Sequence, residues 1–294
     1  MNDYIILTDS CIDLTNEMAK QMNLMVVPLI VTVEGKDYHN YLDEREITNK
    51  DFYQLLREHK MTSTSQVNSQ SFIDVMTPIL ESGKDILSIS FSSALSGTYN
   101  GARIASEELR ETFPNRKIFA IDSLCASMGQ GLLVTYAARL KKAGKTIEEL
   151  AQWIEENKTN FCHLFTVGDL NHLSRGGRLS STKAFLGTIL RVKPLLNVSL
   201  EGKLEQTDKA RGRRSSLDMM IARMVATITN PKGQTVYISH GDCLEDAVYV
   251  KQQIMDLLPI NDIIINYNGP VVGSHSGVGT LAIFYVGKDR YEKY

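Results

Sequence analysis

Cysteine is scarce in this chain: Cys11, Cys125, Cys162 and Cys243 each stand alone. That fits a reducing compartment better than a disulfide framework, so a cytoplasmic location is expected. Long apolar runs are missing too. The longest, LMVVPLIVTV, falls well short of the roughly 20 residues a membrane helix needs, so no integral membrane segment is expected. The run also lies too far into the chain, without a basic leader, to read as a signal peptide. Neither sign of charge is in excess. With 32 Lys and Arg against 34 Asp and Glu, the net charge of −2 speaks against a general nucleic-acid binder. The six histidines form no H-x-x-H pair and meet no clustered cysteines, which removes the usual zinc arrangements; no metal and no cofactor are expected.

Two common catalytic signatures are absent as well. AGKT at 143–146 ends like a P-loop, but position 139 is arginine and the segment follows a helix. A helix stop followed by a new helix start at Thr146 explains it. GSHSG at 273–277 approaches the nucleophile elbow G-x-S-x-G, but His275 takes the central place; ALSGT lacks the first glycine. An esterase or thioesterase using Ser96 or Ser276 with His275 therefore stays as the alternative reading.

What is present is alternation. YIILTDS reads as a buried strand and MVVPLIVTV as a second extended run. DFYQLLREHK has helical spacing, TSTSQVNSQ is a hydroxyl-rich loop, and SFIDVMTPILESG is a helix closing on Gly83. Strand ILSISF, helix 97–112, strand KIFAID and helix 127–143 follow, with a further helix over 146–158. The second half offers strands at CHLFTV, KPLLNVSL, QTVYISHGD, DIIINY and LAIFYVG, helices near 212–229 and 244–257, and a glycine loop NGPVVGSHSGVGT. The expected architecture is two α/β domains, 1–160 and 161–294. The first has a mostly parallel, doubly wound sheet.

Ligands of open α/β sheets gather at the carboxyl ends of strands. There the stretch SFSSALSGTYNGA, residues 90–102, brings Ser92, Ser93, Ser96 and Thr98 to one turn. A helix starting near 97 makes Ser96 its N-cap, and the same geometry offers an anion backbone N–H groups and the positive helix end. Gly97, Gly101, Ala102 and Ala105 are small enough to leave room for a ligand. SRGGRLSS sets Arg175 and Arg178 around two glycines, and arginine forks fit carboxylate and phosphate. DKARGRRSS concentrates Lys209, Arg211, Arg213 and Arg214 near a helix start, where cations oppose the helix dipole and an anionic partner would help.

In this order TDSCIDL, VVPLIV, TSTSQ, SSALSGTYNGA, DSLCASMGQGLLV, FTVGDLNHLSRGGRLS, ILRVKPLL, KARGRR and GPVVGSHSGVGTLAIFYVG cover nearly the whole chain. The set resembles the DegV family. Two positions depart from the family pattern: Val278 replaces the proline of its H-x-G-P-G loop, and Val67–Asn68 replaces Pro-Ser after TSQ. Both affect loop stiffness more than chemistry. The resemblance implies a long-chain fatty acid held between the two domains. It also implies a separate ATP-using fatty acid kinase subunit that converts the bound carboxylate to an acyl phosphate for phospholipid synthesis. The family's carboxylate-binding threonine and serine fall on Thr64 of TSQ and Ser96 of LSGT. Its R-G-G-R arginine falls on Arg178 and its loop histidine on His275, with Ser93 and Gly97 in the head-group region. Lys209, Arg211, Arg213 and Arg214 form the expected docking patch for the kinase.

Overall fold

The structure is a computed structural model and describes residues 3–179, 192–288 and 290, the side chains of Asn171 and Arg175 excepted. Ser180, Ser181 and Ile189–Arg191, which belong to the quoted motifs, lie outside the described residues.

The apolar opening folds as β1 (Tyr4–Asp9), buried at every position. Burial on both faces is what the centre of a parallel sheet demands. The run MVVPLIVTV, expected as one strand, is two. β2 (Leu24–Val27) pairs in parallel with β1, whereas β3 (Ile30–Val33) enters a separate sheet. Pro28 lies between them and has no N–H to give a ladder, so the strand breaks there. β3 is the centre of a small antiparallel sheet, flanked by β4 (Lys36–His39) and β5 (Thr62–Ser65). β5 is the stretch TSTS, expected as a loop. β-branched threonine suits a half-buried strand, and Thr62 and Thr64 alternate inward while Ser63 and Ser65 are exposed.

β6 (Asp85–Ser90) and β7 (Ile118–Asp122) complete the first sheet in the order β2-β1-β6-β7, all parallel. Its connecting helices are α1 (Asn16–Gln21), α2 (Asn49–Arg57), α3 (Ser69–Glu81), α4 (Thr98–Thr112), α5 (Met128–Lys142) and α6 (Ile147–Asn157). Thr15, Thr48, Asn68 and Thr146 cap α1, α2, α3 and α6, each accepting a first-turn N–H. Thr146 adds a capping box with Glu149, which confirms a helix start at AGKT.

The second half is built from β8 (Phe161–Thr166), α7 (Leu170–Arg175), β9 (Val192–Val198), β10 (Leu204–Arg211) and α8 (Arg213–Thr227). β11 (Thr235–His240), α9 (Leu244–Leu257), β12 (Asp262–Tyr267), α10 (Pro270–Ser276) and β13 (Leu281–Val286) complete it. Its sheet runs β10-β9-β8-β13-β11-β12 and is antiparallel except between β11 and β12. Helix α5 joins the halves. Its residues from Met128 to Val134 are all buried, the sign of a helix packed on several sides, and it meets β8, β11 and β13. A single apolar core therefore runs from Leu7, Leu87 and Leu133 to Phe165, Tyr237 and Phe284. A second core, around Met220, Ile238 and Ile283, lies under α8 and α9.

Candidate functional site

The carboxyl end of β1 is tied down by its own acid. Asp9 accepts from the backbone N–H groups of Cys11 (3.1 Å) and Phe91 (2.7 Å) and from Gln130 Nε2 (3.2 Å). It thereby fixes the turn after β6 and the start of α5. Burial pushes its carboxyl up to about 6, against the pull of those donors. Asp13 accepts from Ser127 Oγ (2.6 Å) and Gly269 N (3.0 Å), and burial pushes it up to about 7.

The turn after β6 carries the LSGT residues. Helix α4 starts one residue later than expected, so Gly97 is its N-cap and no side chain caps it. Ser96 is nevertheless engaged: its Oγ accepts from Thr98 N–H (3.3 Å) and lies 2.9 Å from Thr98 Oγ1. Thr98 Oγ1 in turn accepts from Val67 N–H at 3.3 Å, which ties LSGT to the TSQ segment. Gly101 seals the contact, since a Cβ there would stand 2.6 Å from the Val67 carbonyl oxygen. The small residues of α4 thus serve packing rather than ligand space. Gly101 faces the 67–69 backbone, and Ala102 and Ala105 are fully buried in the core.

The segment GPVVGSHS is helix α10, not the expected loop. Gly269 is its N-cap and Pro270 opens its first turn, where the missing N–H costs nothing. The helix delivers His275 to β5, and His275 Nε2 lies 2.8 Å from Thr64 Oγ1. Burial, then the charge of Arg178 and the neighbouring His172, hold the His275 imidazole down at about 4, so the ring is neutral at pH 7. Arg178 donates to the carbonyls of Gly176 (2.7 Å) and Leu95 (3.3 Å), bridging the R-G-G-R turn and the LSGT turn.

These groups face one cavity of about 380 Å³. One part of its wall is polar: Thr64, Gln66, Ser96, Gly97, Arg178 and His275. Most of the rest is apolar, with Leu29, Phe91, Phe165, Val198, Leu204 and Phe284 drawn from both halves of the chain. A largely apolar slot with a few convergent polar groups is the normal form of a small-ligand site. The site can accept an anion from hydroxyls and a guanidinium, and it can bury a hydrocarbon.

Four of the expected site residues, Thr64, Ser96, Arg178 and His275, meet here, and Gly97 lines the same wall, where a Cβ would run into the Gln66 side chain. Ser93 does not join them. It is exposed, and its backbone N–H donates to Asp122 at 3.2 Å. The basic cluster divides, because β10 precedes α8 where only a turn was expected. Lys209 and Arg211 are exposed on edge strand β10, Arg213 pairs with Asp246 at 2.8 Å, and the Arg214 guanidinium lies over the Tyr249 ring. Ser276 lines the cavity, and its buried hydroxyl has no partner. Ser127, inside DSLCASMGQGLLV, and Asn268, at the head of NGPVVGSHSGVGT, also line it but were not singled out as site residues in the sequence. Among the described residues no group of three or more His, Cys, Asp or Glu could hold a metal ion, and no helix is long and apolar enough to cross a membrane.

Comparison with known proteins agrees along the whole chain. The family model described as "Uncharacterised protein, DegV family" matches residues 4–288. A DegV domain-containing protein of Clostridium perfringens is 47% identical over 290 residues, 99% of either chain. A solved structure of a DegV family protein from Thermus thermophilus, described by its fatty acid binding, is 30% identical. It superposes with a TM-score of 0.88 over 98% of this chain and 100% of its own. DegV of Bacillus subtilis, described as a fatty acid binding protein, is 28% identical with a TM-score of 0.85 over 98% and 100% of the two chains.

Proposed function

This chain belongs to the DegV family, and we propose that it holds one long-chain fatty acid and presents the carboxylate to a separate ATP-dependent kinase subunit. The observation that carries the reading is the cavity: one polar wall at Thr64, Ser96, Arg178 and His275, and a mostly apolar remainder spanning both halves. The Thermus and Bacillus relatives, whose folds superpose along the full chain, are described as binding fatty acids. The energetics suit that ligand. Each methylene taken from water contributes about 0.8 kcal/mol, so a dozen give roughly 10 kcal/mol before ordering costs. The carboxylate cannot be buried bare. Thr64 and Ser96 hydroxyls, the unpaired Ser276 hydroxyl and the Arg178 guanidinium are the donors that would satisfy it.

In the proposed transfer a carboxylate oxygen attacks the terminal phosphorus of ATP on the partner. A new O–P bond forms, the bridging P–O bond breaks, and ADP leaves with the electron pair. The acyl phosphate then feeds phospholipid synthesis in the cytoplasm. Arg178 and the polar His275 ring suit its greater charge. The domain division we propose falls between Asn160 and Phe161, where β8 opens the second sheet.

The hydrolase alternative is weakened by His275 itself. A general base for a serine needs a carboxylate behind it and a pKa near neutrality. His275 instead meets the Thr64 hydroxyl, is held down at about 4, and has the Arg178 guanidinium rather than a carboxylate as its charged neighbour. Denaturing mass spectrometry of protein purified from cells tests the main reading. A co-purifying fatty acid is expected at close to one per chain; its absence, together with no uptake of added fatty acid, would reject the proposal. Turnover of acyl esters without ATP or a partner would favour the hydrolase.

A further inference from the structure

Helix α10 ends abruptly. Gly277 leaves the helical region at φ 79 and ψ 178, so the chain turns away after Ser276. The Gly277 N–H still reaches the Gly273 carbonyl (2.8 Å), but among the described residues no backbone N–H takes the carbonyl of Ser274. The last carbonyls of a helix need donors from elsewhere. His172 on α7 supplies one: its Nε2 lies 2.8 Å from Ser274 O. A carbonyl only accepts, so Nε2 carries the hydrogen.

Two close contacts join the same segments. A Cβ on Gly277 would stand 3.0 Å from the His172 ring, and a Cβ on Gly176 would stand 2.8 Å from His275 Nδ1. The His172 ring is thus seated on the end of α10, and the His275 ring on the R-G-G-R turn. Arg178 belongs to that turn and donates to the Gly176 carbonyl (2.7 Å). Arg178 and His275, the two head-group side chains with ionisable groups, therefore keep their mutual placement through residues 172–178 packed on 274–277. Packing alone lets such segments slide. The hydrogen bond from His172 is directional and fixes their register, although His172 itself does not line the cavity.

On the reading that the cavity holds a fatty acid, we propose that His172 is a positioning residue for the head-group wall: it locks α10 to the R-G-G-R turn and so fixes where His275 and Arg178 stand relative to each other. It acts through His275 and does not touch the ligand. A wall held in place in advance has less to order when the carboxylate arrives. The same lock keeps the His275 ring buried, and burial is the first cause of its low value of about 4.

The test pairs His172→Leu, which removes the donor, with His172→Gln, which keeps an N–H. Both replacements are uncharged, so a difference between them reports the hydrogen bond and not a charge. In His172→Leu the His275 ring, followed by NMR, should titrate nearer its ordinary 6.5 than the wild-type value of about 4. Stearic acid affinity, measured by calorimetry on delipidated protein, should fall several-fold. His172→Gln should restore most of both. A leucine variant with a lower melting temperature but wild-type His275 titration and affinity would make His172 a plain helix stop and overturn the proposal. A glutamine variant as impaired as the leucine one also overturns it. Nitrogen-15 shifts of the neutral His172 ring in the wild type must show the proton on Nε2; a proton on Nδ1 instead rejects the lock, and this measurement needs no variant. If the wild type binds no fatty acid while the His275 titration responds as expected, the lock stands and the fatty-acid reading falls.

Discussion

Thr64 Oγ1 and His275 Nε2 lie 2.8 Å apart although 211 residues separate them in the chain. The bond joins the small β4-β3-β5 sheet to helix α10, so the threonine of TSQ and the histidine of GSHSG share one wall. The Thr64 hydroxyl carries no charge and burial keeps the His275 ring neutral, so the contact is a dipolar clasp. A carboxylate entering here gains hydroxyl donors without displacing a competing charge.

The hydroxyl seat is the first quantity to measure. Thr64→Ala and Ser96→Ala should each weaken fatty-acid affinity by about 1.5–3 kcal/mol, the worth of one hydrogen bond to a charged group. That is roughly tenfold to a hundredfold in Kd. The melting temperature should change little, since Thr64 and Ser96 are only partly buried. Unchanged affinity in the double variant would remove both residues from the site.

Much of this was legible from residue order, and the failures have physical causes. The buried strand YIILTD and the capped helix at Thr146 carry local signals that tertiary structure does not override. β5 was read as a loop because four hydroxyl residues look polar; its strand character comes from pairing with β3, a partner 30 residues away in sequence that no local window contains. Helix α10 was hidden by its glycines, which serve close packing: a Cβ on Gly273 would stand 2.7 Å from Tyr53 Oη. Ser127 and Asn268 sit inside quoted stretches, but nothing local distinguishes them there, and only the fold brings them to the cavity wall.

Gly101 sets how closely LSGT approaches TSQ. In Gly101→Ala the new methyl would stand 2.6 Å from a backbone oxygen, which cannot rotate away as a side chain would. Overpacking of this kind costs about 1–3 kcal/mol, partly offset by the gain of about 1 kcal/mol from alanine in a helix. A fall in melting temperature of about 2–4 °C is expected. Fatty-acid affinity should fall as well, because Ser96 and Thr64 move apart. A variant as stable as wild type with unchanged affinity would show that the α4 contact does not govern the seat.

Asp13 gives a pH dependence whose sign is fixed. The carboxyl ionises near 3.8 when unfolded and is pushed up to about 7 by burial when folded. Between those values the folded chain holds a proton that the unfolded chain has lost, so stability falls as pH rises through the window. Asp13→Asn keeps an acceptor for Gly269 N–H and removes the titration. Asp9 remains in both proteins, so to first order its own dependence cancels in the difference. The variant's melting temperature relative to wild type should climb from about pH 4 to about pH 7 and level off above it. A flat difference would mean that Asp13 does not titrate in this window.

The docking proposal changes once the basic cluster is placed. Arg213 is already paired with Asp246 at 2.8 Å, so Arg213→Glu would set two carboxylates together and damage the fold rather than report on a partner. Arg214 is stacked on Tyr249. Lys209 and Arg211 alternate outward on β10, the edge of the second sheet, with Ala210 buried between them. Charges on an edge strand also keep other strands from adding to it, which is the ordinary reason for lysine there. Docking and edge protection give different readouts. If the kinase uses this edge, Lys209→Glu with Arg211→Glu should raise the carrier concentration needed for half-maximal phosphorylation several-fold. Added salt should slow the wild-type reaction more than the variant's, because rim charges act chiefly on encounter rate. Fatty-acid affinity should stay at the wild-type value, since neither side chain lines the cavity. An unchanged concentration dependence and an unchanged salt response would leave the two cations with edge protection alone and move the search for the docking surface to the cavity mouth beside Gln66 and Arg178.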